Sequence, residues 1–187
     1  LLGNVCLLQG GWEAKLAMRL EELLIRDRKV IAEEWFKALA GTYPAETARV
    51  LKHGADPFAN PVGATARRSL EAVYDELVGA MDPPTLRSAL DPLIRIRAAQ
   101  SLFSASQAVG FIFHLKSIIH RQLKAELSDP GLREALPAFE SKIDALALMA
   151  FDIFTACREK LADLRANELK ERTLRAFERA GLVATDP

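Results

Sequence analysis

The residues whose types and spacing first invite a chemical reading are His114, His120 and the serines around them. Ser104, Ser106 and Ser117 lie along the same stretch, and a serine nucleophile needs a base within reach plus a third group to orient that base. His114 and Ser117 are three residues apart and can touch on a helix, yet no orienting partner stands out, so structural coincidence is expected there. An internal histidine of a helical chain can also ligate haem. His114 borders an apolar helix face, His120 lies toward a flank, and His53 ends a helix before a loop. A histidine beside an apolar face is more often a hydrogen-bonded structural residue, and no cofactor, haem included, is expected. Cys6 and Cys157 are too distant in sequence to suggest a metal knuckle or redox pair. Glycine-rich phosphate loops, G-x-S-x-G and H-E-x-x-H are missing from the sequence. Neither catalysis nor a metal centre is expected.

The basic residues are more informative. Lys116 falls angularly between Val109, Ile112 and Leu123, inside an apolar sector, where an unpaired ammonium would cost several kcal/mol. It must snorkel to water or meet an anion, either a carboxylate of the protein or an acidic ligand. Arg95 and Arg97 are further basic candidates. Together with Phe111, His114 and Leu115 these residues form the candidate ligand-binding set. A second candidate is the loop Asp56-Pro57-Phe58-Ala59-Asn60-Pro61-Val62-Gly63. Its prolines stiffen it around Phe58, which either plugs the core or, with Asn60, offers a recognition surface; Asn60 is also placed to cap the next helix.

The elements that must position these residues are helical. Apolar residues recur at three- and four-residue spacing, and no useful length alternates with period two. The chain has 187 residues, half of them hydrophobic and 27% charged, which supports one compact domain with a sizeable core. Twenty-five basic residues balance 25 acidic ones, which argues against a nucleic-acid binder. No run approaches the length of a membrane span, and the first residues lack the flank and cleavage site of a signal peptide. A soluble, cytoplasmic protein without membrane insertion is expected.

Several Asx-Pro pairs read as helix starts, because the Asx side chain can accept from a first-turn N–H and proline at the first position loses no helical bond. They are Asp56-Pro57, Asn60-Pro61, Asp82-Pro83, Asp91-Pro92 and Asp129-Pro130. The punctuation predicts helices over Trp12–Ala40, Pro44–His53, Pro61–Ala80 and Pro83–Gln100, the last kinked or split by Pro92. A capping box at Ser104 and Gln107 opens a central helix to Leu127. On it Ala105, Ala108, Phe111, Ile112, Leu115, Ile119 and Leu123 share one face, widened by Val109, Phe113 and Ile118.

The last segment, Pro137–Ala180 with Gly181 as its cap, would span about 66 Å at 1.5 Å per residue. A compact chain of this size is only about 40 Å across, so the helix must break or project. Its first half is core-like, with Ile143, Leu146, Leu148, Met149, Phe151, Ile153 and Phe154. From Arg158 to Arg179 twelve of 22 residues are charged, and the large apolar residues do not form a clean heptad. Packing against a second copy is the expected support.

Several motifs in order resemble the N-terminal domain of RsbRD-type RsbT co-antagonist proteins: Phe58-Ala59-Asn60-Pro61-Val62-Gly63, Ile94-Arg95-Ile96-Arg97-Ala98-Ala99-Gln100, Ser104-Ala105-Ser106-Gln107-Ala108-Val109-Gly110-Phe111 and Leu115-Lys116. Arg28-Lys29, Trp35-Phe36, Thr42-Tyr43-Pro44, Arg158-Glu159-Lys160, Arg165-Ala166-Asn167-Glu168 and Glu178-Arg179-Ala180-Gly181 fit the same pattern. The resemblance covers about Leu20 to Leu182. It implies an all-α, globin-like helical bundle of bacterial stressosome proteins, sensory, typically haem-free and dimeric. Relatives carry a STAS domain phosphorylated by a kinase after it; here none is expected to follow, which leaves kinase antagonism without its phosphoacceptor.

The expected organisation is a tail over residues 1–11, a helical sensory domain over 12–157, and a helical extension over 158–187 continuous with the last domain helix. The expected function is a non-catalytic sensory or adaptor module. It acts as a homodimer with a regulatory protein partner, its output passing through Leu161, Leu164, Arg165, Leu169, Arg172, Leu174 and Phe177. The alternative is a carrier of an apolar acid, a lipid or haem.

Overall fold

The computed structural model describes residues 3–52, 60–180 and 182. Its regular elements are α1 (Gly3–Arg26), α2 (Arg28–Ala40), α3 (Ala45–Lys52), α4 (Pro61–Val78), α5 (Pro83–Ala99), α6 (Ala105–Val109), α7 (His114–Gln122) and α8 (Pro130–Arg179), with 3-10 turns at Gly110–Ile112 and Glu126–Ser128. No strand occurs among the described residues. The all-α architecture with a long C-terminal helix is therefore as expected.

Each buried face follows from helical periodicity. Leu20 and Leu24 of α1, Ile31, Trp35 and Leu39 of α2, and Leu70, Val73, Tyr74 and Leu77 of α4 recur every three or four residues and are buried. On α5 the same stripe runs Leu86, Leu90, Leu93, Ile94, Arg97 and Ala98, an arginine included. Helix α5 packs most extensively against α4 and α8, and α1 lies along α8.

Asn60-Pro61, Asp82-Pro83 and Asp129-Pro130 start helices as the sequence predicts, whereas Asp91-Pro92 lies inside α5 and starts none, and Asp56-Pro57 lies outside the described residues. Asp82 accepts from the Thr85 amide at 3.0 Å, and Asp129 from that of Gly131 at 2.9 Å. The Ser104–Gln107 box closes in both directions. Proline signals are weaker. Pro92 lies within α5 and Pro137 within α8, and neither ends its helix. Both prolines are exposed, as are Ser88 and Arg133 four residues before them. Water can therefore satisfy the carbonyls that lose a donor. Helix α8 thus starts at Pro130 rather than Pro137.

Two predicted helices are broken, for a common reason. The first bends at Asp27, whose carboxylate is gripped by the guanidinium of Arg26 at 2.8 and 2.7 Å. Aspartate is a weak helix former, and the Leu24 carbonyl accepts from the buried Tyr74 hydroxyl at 3.0 Å. This first helix also begins at Gly3, before Trp12. The central helix tightens into a 3-10 turn at Gly110, a residue that favours interruption. Three 3-10 residues advance the chain about 60° further than α residues, which turns Phe113 outward, 46% exposed, off the apolar face it was assigned to. Leu148 and Phe151 of α8 are also exposed rather than part of the core.

Helix α8 has 50 residues, about 75 Å of helix. Its buried stripe runs from Leu132 to Phe154, and every residue from 162 to 180 is exposed. The helix projects. Gly181, its expected cap, lies outside the described residues, as do His53 and Phe58.

Candidate functional site

The candidate site is a cleft of about 500 Å³ where α2 ends and the central helix breaks. Thr42, Tyr43 and Pro44 line one side, Leu102 and Phe103 another, and Gln107, Gly110, Phe111 and His114 the third. The break itself builds the floor. The last carbonyls of a helix lack onward helical donors, and Arg97 of α5 reaches those of α6. Its Nε donates to the Ala108 carbonyl and its Nη2 to that of Gln107, both at 2.9 Å. Both terminal nitrogens also donate to the Thr42 hydroxyl at 3.1 Å, which itself donates to the Leu39 carbonyl.

Three aromatic rings complete the enclosure. The guanidinium carbon lies 3.9 Å from the Phe103 centroid, 5.1 Å from that of Tyr43 and 5.3 Å from that of Phe111, within cation–π range. Tyr43 meets Phe103 edge-on at 4.9 Å. Arg97 is 0% exposed, and burial pushes its guanidinium below the ordinary value. An arginine nevertheless stays charged in a protein. None of the ion pairs among the described residues includes it. Neutral oxygens and π-faces hold the charge.

The other candidates divide sharply. Phe111 lines the cleft and His114 stands exposed beside it. Leu115 is buried in the core. Lys116 meets a carboxylate of the protein: its Nζ is 2.7 Å from Asp144 of α8, partly exposed. Arg95 is exposed and paired with Asp91 one turn earlier. Ser117 donates to the His114 carbonyl, not to its ring, and His120 Nε2 pairs with Glu140 at 2.7 Å. No cluster of metal-binding geometry occurs among the described residues, and no helix among them is long and apolar enough to cross a membrane.

Asn60 is 5% exposed and fully engaged. Its Oδ1 accepts from the Gly63 amide at 2.9 Å while Nδ2 donates to Val50 and Leu51 at 3.0 Å, tying the end of α3 to the start of α4. Of the output residues, Leu164, Leu169, Leu174 and Phe177 are exposed apolar side chains. Arg165 and Arg172 are exposed beside them, and Leu161 is half-buried. Sequence reasoning did not assign Thr42, Tyr43, Phe103 or Trp35 to a site. One available signal was an arginine repeating within the apolar stripe of α5, which demands acceptors and rings from elsewhere.

The family model for the RsbT co-antagonist protein rsbRD N-terminal domain matches residues 29–169. The chain belongs to this family. Within the rsbRD N-terminal domain, the matched stretch holds the whole cleft, Arg97 and the first part of the α8 projection. A protein of Archaeoglobus fulgidus described as uncharacterized is 25% identical over 146 residues, 76% of this chain and 84% of the relative. No solved structure matches.

Proposed function

We propose that this rsbRD N-terminal domain is a non-catalytic sensory module, globin-like in architecture, that works as a homodimer. A change in its helical body travels along α8 to a regulatory protein partner, in the cytoplasm. The observation that carries this reading is the α8 projection, exposed from residue 162 to 180 yet continuous with the core stripe. Helices in proteins draw most of their stability from tertiary packing of a face, and residues 162–180 bury none, so a partner surface is called for.

The projection has such a surface. Ala162, Ala166, Leu169, Thr173, Ala176 and Ala180 follow one another at alternating four- and three-residue steps, the spacing of a two-helix seam. The large apolar residues alone concealed this pattern, because most of the seam positions are small. Two contacts support a route into α8 from the body. Lys116 of α7 pairs with Asp144, and Arg158 donates to the Ala98 carbonyl, next to Arg97, at 3.3 Å.

Sedimentation of the full chain tests this. Twice the 20.6 kDa chain mass is expected, falling to the monomer when Leu169→Lys or the pair Arg165→Glu and Arg172→Glu is introduced. A monomeric native chain, or a profile indifferent to these changes, refutes it. The second reading, a carrier of an apolar acid or other small molecule, is favoured by the cleft beside Phe111 and His114.

A further inference from the structure

We infer that the cleft over Arg97 binds a small carboxylate with a flat apolar body, the aromatic walls taking the body and the buried guanidinium selecting the charge. This adds a ligand class to the sensory reading but is tested by binding alone, so its failure leaves pairing through α8 untouched.

The first support is electrostatic. A buried cation ordinarily has a counter-ion, and Arg97 has none among the described residues. Thr42, Phe103 and Gln107, which hold it, also line the cleft, so the charge lies one side-chain layer beneath the cleft floor. No acidic residue lines the cleft. A charge beneath a low-dielectric wall projects a field that water does not fully quench, and its sign here favours an anion. A neutral isostere gains nothing from it.

The second support is shape. Tyr43, Phe103 and Phe111 offer rings, while Gln107 and His114 offer polar groups at the same opening. Apolar walls with a few convergent polar groups are the usual form of a small-molecule site. Gly110 adds a structural detail. It has a helical φ of −57°, and a Cβ built on it meets nothing within 4 Å. The chain leaves space there that a side chain would fill without strain.

The same geometry supplies a reporter. Phe111 lines the cleft, and its carbonyl accepts from Trp35 Nε1 at 3.0 Å. A ligand against Phe111 shifts the resonance of the Trp35 indole N–H.

The experiment is a titration of the ¹⁵N-labelled full chain with sodium benzoate, benzamide and benzylamine at pH 8, followed by NMR. Benzoate is expected to give saturable shifts at Gly110, Phe111 and the Trp35 indole, at least about tenfold tighter than either analogue. Gly110→Leu is expected to keep the fold and abolish the shifts, and Arg97→Met to abolish the preference for benzoate. Should Arg97→Met fail to fold, Gly110→Glu and Gly110→Lys replace it, since one sets a carboxylate in the cleft and the other an ammonium. At pH 8 the Glu variant is expected to melt higher than the Lys variant. Absence of saturable shifts, equal binding of benzoate and benzamide, binding that survives Gly110→Leu, or a Lys variant as stable as the Glu variant would each overturn the inference.

Discussion

Trp35 and Phe111 are joined twice: the indole Nε1 donates to the Phe111 carbonyl at 3.0 Å, and the two rings lie 6.1 Å apart at 34°. Trp35 is fully buried on α2, and Phe111 sits in the 3-10 turn that interrupts the central helix. The indole therefore supports the break with both a donor and a wall. Trp35→Phe keeps the wall and removes the donor, and is expected to cost about 1–3 kcal/mol. Urea unfolding checks this, with the midpoint lowered and the slope unchanged.

Arg97 satisfies three oxygens at once. Arg97→Lys retains the charge but not the planar fork, and leaves at least one buried carbonyl without its donor. The expected loss is about 2–4 kcal/mol, measured in the same unfolding experiment. A cost below about 0.5 kcal/mol, the range of surface substitutions, would mean that this cluster does not organise the break.

Asn60 and Gly63 act as one unit. A Cβ at Gly63 would collide with the Asn60 amide, so Gly63→Ala displaces the cap, and Asn60→Ala removes it outright. Each is expected to destabilise by about 1–2 kcal/mol. Their effects should not add, because without the Asn60 amide the alanine at 63 has nothing to displace. A double-mutant cycle with a coupling of about 1 kcal/mol is expected; strict additivity would contradict the arrangement.

Acid should loosen the start of α8 and the bend between α1 and α2. The Gly131 amide, then Arg19, hold the Asp129 carboxyl below the usual carboxylate range, and Arg26 does the same for Asp27. A carboxylate lowered on folding stabilises the native state above its unfolded value, near about 3.9. That stability is lost as pH falls through the lower folded value. Stability from these groups is thus expected to hold from neutral pH to about pH 5 and decline below about pH 4. Asp129→Asn, which keeps an acceptor without the titration, should make the decline shallower in urea titrations at pH 6, 4 and 3.

How much of the site was legible depended on whether the signal was local. The Ser104–Gln107 box and the caps at Asn60, Asp82 and Asp129 join a side chain to a backbone amide two or three residues away, so residue order alone discloses them. Lys116 was legible as a residue needing an anion. That the anion is Asp144 of α8 depends on how two helices lie together. Arg97 stood among the basic candidates, but its partners Thr42 and Phe103 come from loops on either side of it in sequence.

The sequence by itself determined the helical class, the helix starts, the family resemblance and the excess length of the last helix. Periodicity, capping chemistry and the rise per residue all operate within a few turns. Only the tertiary structure decided where helices break and which side chains accept the consequences. An interruption at Asp27 or Gly110 becomes stable when a buried donor from another element, Tyr74, Trp35 or Arg97, reaches a carbonyl near the break. It also decided that α8 continues past Pro137 and projects, because an exposed proline leaves its orphaned carbonyl to water and the core ends at Phe154.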